Sequence, residues 1–419
     1  MALNNEEFKI REEFLPFHRS WFGPEEENEI IDTLRSGWIT TGPKTKKFEA
    51  EFANYTRAKH CVALNSCTAA LHLAYAALGA GPGDEVITSP MTFAATANVA
   101  VHLGATPVFA DIMPETLNIH PDEIEKKITK KTKIITPVHY IGQPCKMDEI
   151  LALAKSCGAA VVEDAAHATE SWYKDRKVGS IADMTAFSFY ATKNMTTGEG
   201  GALTTNRDDL IEKIRILGLH GMSKDAWKRY SKDGYAHYEI LYPGFKYNMF
   251  DIQASLALHQ LKKIEMFWEL RKHYVEKYND MFKDVAEIKT LKIMPDVKHA
   301  YHLYPVILKT EMLKCTRDEF LAELQKMNIG VSVHFIALHL HPFYRDAYKY
   351  KRGDFPNAEY ASDRIVTLPL FPRMNKIGWT QQPRQTALLF SCPNLHWQPM
   401  KAALAFSRRY RGMDRASLQ

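Results

Sequence analysis

From residue 60 to residue 205 the chain repeats one pattern, a short apolar run followed by an amphipathic stretch. HCVAL, EVIT, TPVFADI, KIITPVHY and AAVVEDAA are apolar runs; TAALHLAYAALGA and MDEILALAKSCG have helical spacing. This alternation predicts a mostly parallel sheet with helices on both faces, since a parallel neighbour is reached only by a crossover. Ligands of such sheets lie at the carboxyl ends of the strands. The 419 residues can bury more than one core. We expect a large α/β domain over 1–260, a smaller α+β domain over 261–374, and an atypical tail over 375–419. A long helix from about 253 to 285 bridges the two domains. The smaller one holds strand AYHLYPVIL, helix TRDEFLAELQKMN with Thr316 as its N-cap, and strand GVSVHF.

Composition removes several classes of function. With 46% hydrophobic and 25% charged residues the chain reads as an ordinary globular protein. Its amino terminus, MALNNEEFKIREEF, is polar and unlike a secretory signal. No apolar run reaches the ~18 residues that span a bilayer. Six cysteines without a CxxC pair fit reduced thiols, and a cytoplasmic location is expected. The net charge of +5 is a property of the tail, where residues 375–419 carry seven Lys and Arg against one Asp. The rest of the chain carries −1, so no nucleic-acid or membrane partner is expected.

The chemistry gathers around FSFYATKNMTTGEGG, residues 187–201. A strand there breaks into a polar loop that carries Lys193. A lysine just past a buried strand is ordinarily a surface charge. What selects a tethered amine is the set of partners elsewhere, at the places a pyridoxal phosphate (PLP) site needs them. That cofactor asks for an amine to condense with its aldehyde and a carboxylate to keep its ring nitrogen protonated. It also asks for an anion hole for its phosphate and a flat side chain over its ring. Asp164 ends the buried strand of VVEDAAHA. Ser66, Cys67, Thr68 and Ala69 stand where strand HCVAL meets a helix start, whose free N–H groups favour an anion. Ser188 can add a hydroxyl, and Phe93 follows strand EVIT and can lie on a ring. Each feature alone has a plain structural reading, such as an N-cap or a core residue. Their joint order is far more specific.

The chain resembles the DegT/DnrJ/EryC1/StrS family of PLP-dependent sugar aminotransferases. The blocks that carry the resemblance are SGWITTGP, NSCTAALHLA, GDEVITSPMTFAATAN, PVHYIGQP, VVEDAAHA, FSFYATKNMTTGEGG, GFKYNMFDIQASLAL and GVSVHF, between residues 14 and 373. EDAAHA and GFKYN are closest in look to enzymes that aminate C4 of a UDP-linked 4-keto sugar, such as the 4-amino-4-deoxy-L-arabinose branch. The resemblance implies the type I aminotransferase fold and a ping-pong exchange between an amino acid, with glutamate expected, and a keto sugar. Lys193 and Asp164 are its catalytic residues, and His167 approaches the cofactor's 3′-oxygen. Trp38, Ile39, Thr40 and His334 face the sugar. A homodimer with shared sites is implied, in which Lys246 or Asn248 reaches the phosphate of the partner's cofactor.

Other readings stay open or are set aside. A cyclitol or simple carbonyl acceptor would suit the same residues. A dehydratase of this family would carry histidine in place of Lys193. His139 and Gln143 are read as supporting residues. HFIALHLH lacks the carboxylates of a metal site, and no metal is expected. Residues 223–244, with Trp227, Tyr230, Tyr235 and Tyr238 among lysines and arginines, suit either a lid for a nucleotide diphosphate or a solvated interface loop.

Overall fold

The computed structural model describes residues 12–223 and 238–374; the expected basic tail and most of the segment 223–244, read as a lid or an interface loop, lie outside them. The amino-terminal part carries α1 (Pro24–Ser36) and α2 (Pro43–Thr56). The alternating stretch follows as β1 (His60–Leu64), α3 (Cys67–Ala77), β2 (Glu85–Thr88), α4 (Ala95–His102), β3 (Thr106–Phe109), α5 (Pro121–Glu125), β4 (Thr132–Thr136), α6 (Met147–Cys157) and β5 (Ala160–Asp164). Short β6 (Trp172–Tyr173) and β7 (Arg176–Lys177) precede β8 (Met184–Ser188), β9 (Gly201–Thr205) and α7 (Ile211–Leu217). Helix α8 (Asp251–Phe282) leads to β10 (Ile288–Thr290), β11 (Val297–Lys298), β12 (Tyr304–Leu308), α9 (Arg317–Lys326), α10 (Pro342–Tyr348), α11 (Pro356–Arg364) and β13 (Ile365–Leu368).

Seven strands form the main sheet in the order β1-β9-β8-β5-β4-β2-β3, and only β9 runs against its neighbours. The fold is therefore α/β with a mostly parallel mixed sheet, as expected. Two-residue periodicity sends each strand into two cores. Val62, Leu64, Val86, Ile134, Val162, Met184, Ala186 and Leu203 pack on α3 and α4. On the other face Cys61, Ala63, Phe187 and Ala202 meet α2 and α8, while Ile87, Ile135 and Val161 meet α6. Phe52 of α2 takes Phe187 and Phe189 edge-on at 5.1 and 5.3 Å. Such pairs add about 0.5–1.5 kcal/mol each beyond their burial, and they anchor the end of β8 from which the Lys193 loop departs.

Helix α8 runs unbroken through residue 260, where a domain boundary was expected. Its first half, with Ala254, Ala257, Leu258, Leu261 and Ile264, belongs to the main sheet's core. Its second half, with Tyr274, Val275, Tyr278 and Phe282, packs on the antiparallel sheet β10-β12-β13 and on Phe320 and Leu324 of α9. Thr316 caps α9 in a box with Glu319, as the sequence suggests.

Two expectations need correction. Strand AYHLYPVIL begins only at Tyr304, because Ala300 and His302 spend their N–H groups on the carbonyls of Gly142 and Ile141. GVSVHF is not a regular strand. Gly330 donates to Leu15, and Ser332 makes a single bridge to Thr367, before the chain turns away at His334. Helix α7 starts at Ile211, just after Asp208 pairs with Lys59 and His60 and Asp209 with Arg207. Among the described residues no helix is long and apolar enough to cross a membrane.

Candidate active site

Beyond Ser188 the chain closes a compact loop. Phe189 N–H donates to the Gly200 carbonyl, Thr197 N–H returns to the Phe189 carbonyl, and Lys193 N–H donates to the Tyr190 carbonyl, each at 2.9 Å. The Thr196 hydroxyl adds a bond to the Phe189 carbonyl at 3.1 Å. Lys193 is thereby held half-buried at the carboxyl edge of the sheet. Burial pushes its amine from an ordinary 10.5 down to about 8, against the opposing pull of Cys67 and Asp164. The charge of Lys193 is also felt at His18, His167, His302 and His334, so these rings lie around it.

Asp164 ends β5, the strand beside β8, with Asp164 opposite Ala186 in the register. Its carboxylate is buried. Oδ2 accepts from the Thr96 hydroxyl at 2.7 Å and Oδ1 from the Ala166 N–H at 3.1 Å. Each oxygen keeps a lone pair for one more donor. Thr96, buried in α4, was not singled out from the sequence. A threonine inside a helix carries no local sign of a partner 68 residues away.

The candidate anion cradle lies where β1 gives way to α3. Ser66 Oγ accepts from Ala69 N–H at 3.1 Å, while the N–H groups of Cys67 and Thr68 have no carbonyl one turn back. Gly201 faces this turn from β9. A Cβ there would stand 2.4 Å from the Ser66 carbonyl carbon and 2.5 Å from the Cys67 nitrogen, so only glycine lets the strand approach. Segment 246–248 runs alongside, with Asn65 N–H bonded to the Tyr247 carbonyl and Asn65 Nδ2 to the Lys246 carbonyl. Lys246 is exposed, whereas Asn248 Nδ2 donates to the Thr41 hydroxyl at 2.6 Å within the same chain.

The remaining sequence candidates fall into two groups. Ser188 is buried at the end of β8, and Phe93 is 67% exposed, 6.3 Å from the Phe335 ring. His167 is buried with no partner for its Nδ1, and burial, Lys193 and His334 hold it far below its ordinary pKa. His334 stacks on Phe17 and is pushed down to about 4 by burial and Lys193. These residues gather with Lys193 and Asp164. The loop of Trp38, Ile39 and Thr40 is exposed and held from α8 instead. Thr41 donates to the Met249 carbonyl, and the Asp251 carboxylate accepts from the N–H groups of Gly42, Lys44 and Thr45. Asp251 thus caps α2 from about 200 residues downstream, a cap no local pattern reveals.

His139 takes its structural role. Its Nδ1 accepts from Cys145 N–H at 3.1 Å, so Nε2 donates to Glu163 at 3.0 Å. Gln143 likewise ties down Lys292 and Met294. His339 pairs with Glu359 and His334 with Thr367, so these two histidines of HFIALHLH serve separate partners.

An amine of lowered pKa, a buried carboxylate on the next strand, an anion cradle and an orphaned imidazole nitrogen together fit PLP. Residues 22–379 match the model of the DegT/DnrJ/EryC1/StrS aminotransferase family. The chain is 52% identical over 366 residues to the spore coat polysaccharide biosynthesis protein SpsC of Bacillus subtilis, covering 87% of this chain and 94% of that one. Spr1654 of Streptococcus pneumoniae, provisionally assigned as a sugar aminotransferase and solved in its PLP form, superposes with a TM-score of 0.81 at 35% identity. That alignment covers 89% of this chain and 99% of the other. Helicobacter pylori PseC, an aminotransferase involved in the biosynthesis of pseudoaminic acid, gives 0.84 at 29% identity over 91% of this chain and 100% of its own. The chain belongs to the DegT/DnrJ/EryC1/StrS aminotransferase family and is a PLP-dependent transaminase.

Proposed function

We propose that this enzyme moves the amino group of an amino acid, L-glutamate, onto a keto group of a nucleotide-linked sugar, at C4 of a UDP-4-keto sugar. The observation that carries the reading is Lys193, in the loop beyond β8, within electrostatic reach of Asp164 at the end of the adjacent β5, beside the Ser66 cradle. The involvement of SpsC in polysaccharide biosynthesis and of PseC in pseudoaminic acid biosynthesis supports a sugar acceptor.

Bound PLP supplies an electron-withdrawing ring that stabilises negative charge at a carbon losing its proton. Asp164 would hold the ring nitrogen's proton, kept in place by Thr96 and Ala166. The N–H groups of Cys67 and Thr68 and the Ser188 hydroxyl would hold the phosphate. Phe93 would cover the ring. Lys193 Nζ takes a proton from the α-carbon of the donor and returns one to the acceptor carbon; a pKa of about 8 lets it do both near neutrality. One amine serves both half-reactions in turn, so the kinetics are ping-pong.

We assign residues 1–260 to the cofactor domain and 261–374 to the smaller one, the two halves of α8 serving as the link. We also propose a homodimer with shared sites. Lys246 is exposed beside the cradle, and Ile240, Leu241 and Tyr242 expose an apolar strip just before it. Since Asn248 is engaged by Thr41, Lys246 is the residue we assign to the partner's phosphate.

The test is a panel of UDP-4-keto sugars, cyclitol ketones and simple aldehydes with glutamate as donor, following 2-oxoglutarate and the aminated product. Higher kcat/KM for a cyclitol or a simple carbonyl than for every nucleotide sugar would refute the proposed acceptor.

A further inference from the structure

Asn194, next to Lys193, has a fully engaged amide. Its Nδ2 donates to both oxygens of Glu170, each at 2.8 Å, and to the Ala300 carbonyl at 2.9 Å. Three acceptors on that side fix which amide atom is nitrogen. The other atom, Oδ1, meets His302 Nδ1 at 2.8 Å. An amide oxygen only accepts, so His302 Nδ1 carries the proton and donates. The ring is also neutral. Burial is the main cause, and the cationic Lys193 and Arg271 act against its protonation as well. A carboxylate at position 194 would instead stabilise an imidazolium beside the Lys193 amine; the amide orients the ring without charging it. The His302 ring lies on that of His167, 4.4 Å between centroids. Nothing in a local pattern marks this chain, which joins residues 170, 194 and 302.

We propose that Glu170 and Asn194 are positioning residues that hold His302 as the neutral Nδ1–H tautomer. Beside Lys193 the ring then offers a lone pair at Nε2. The group it receives is a hydrogen-bond donor, an amine or a sugar hydroxyl, and not a carboxylate. The identity of that group rests on the transaminase reading above; the tautomer does not.

The experiment is long-range ¹H–¹⁵N NMR of histidine-labelled holoenzyme without substrate, with His302→Gln to assign the signal. His302 should show a proton on Nδ1 and should not titrate between about pH 6 and 9. Asn194→Ala should release the ring to the Nε2–H form or let it titrate. It should lower kcat/KM about 10- to 100-fold with bound cofactor retained. A wild-type ring with its proton on Nε2, or one that titrates in this range, overturns the proposal, and this holds even if Asn194→Ala does not fold. So does an Asn194→Ala enzyme that loses activity with the tautomer unchanged, since that is a purely structural effect. Failure of every sugar in the panel, with the tautomer as expected, would count against the acceptor alone.

Discussion

Gly201→Ala would place a methyl group where the first turn of α3 meets β9. The nearest atoms are the Ser66 carbonyl carbon at 2.4 Å, the Cys67 nitrogen at 2.5 Å and the Ser66 oxygen at 2.6 Å. All are backbone, so no flexible side chain can yield. Ordinary contact begins near 3.4 Å, and about 1 Å must be absorbed. β9 cannot take it up cheaply, because it is hydrogen-bonded to β1 on one side and β8 on the other. The displacement therefore falls on the start of α3, whose N–H groups are the proposed phosphate cradle. Losing one charge-assisted bond costs about 1.5–3 kcal/mol, roughly 10- to 100-fold in PLP affinity. Overpacking adds about 1–3 kcal/mol of lost stability. Titration of the apoenzyme with PLP, followed by cofactor absorbance, reads the first, and thermal unfolding the second. Gly198→Ala is the control. Gly198 has φ +78° with open space around it, so alanine there strains the backbone but leaves the cradle untouched. A folded Gly201→Ala enzyme with unchanged PLP affinity would refute the cradle.

Lys193→Ala should abolish turnover and the borohydride-fixable cofactor absorbance together, and repeated turnover in this variant would rule out the lysine assignment. Asp164→Asn should fold, since an amide oxygen can still accept from Thr96, yet lose on the order of 10²-fold in kcat or more. A lysine held at about 8 has roughly 300 times more neutral amine at pH 7 than one at 10.5. PLP uptake by the apoenzyme, measured by stopped flow, should therefore accelerate with rising pH and level off just above pH 8; a rate still climbing at pH 10 contradicts that environment. Lys246→Ala should weaken cofactor retention on dilution without changing the spectrum of what stays bound, checked by absorbance after gel filtration; full retention in a monomer would exclude the shared site.

The sheet was legible because each strand is short, apolar and followed by a helix, a pattern that depends only on neighbours in sequence. The placement of Asp164 at the end of β5 and of Lys193 just beyond β8 was legible for the same reason, and strand ends are where such a sheet places chemistry. What local pattern could not supply was partnership. Thr96 with Asp164, Asp251 with the start of α2, and the chain from Glu170 through Asn194 to His302 join residues that only the closed fold brings together. GVSVHF misled in the opposite way. Its alternation is strand-like, but Gly330 and Ser332 spend their bonds on Leu15 and Thr367, and the chain leaves at His334 toward Lys193. Residues 331–335 are all half-buried, so the alternation there marks neither a buried face nor a ladder.

The charges of the site divide its labour. Asp164 is the carboxylate whose charge reaches the Lys193 amine, and His18, His167, His302 and His334 are all held neutral there. Neutral rings give a carbanion none of the stabilisation that cations would, so these four histidines have little to offer an acidic carbon. They do suit a proton carrier, because each additional positive charge would depress the Lys193 amine further and make it a poorer base. With burial opposed by Asp164 and Cys67, the amine comes to rest near 8, close enough to neutrality to both accept and release a proton. Stabilising negative charge is thereby left to the cofactor ring, and the protein's task is to keep one amine basic, one carboxylate buried and bonded, and four imidazoles uncharged around them.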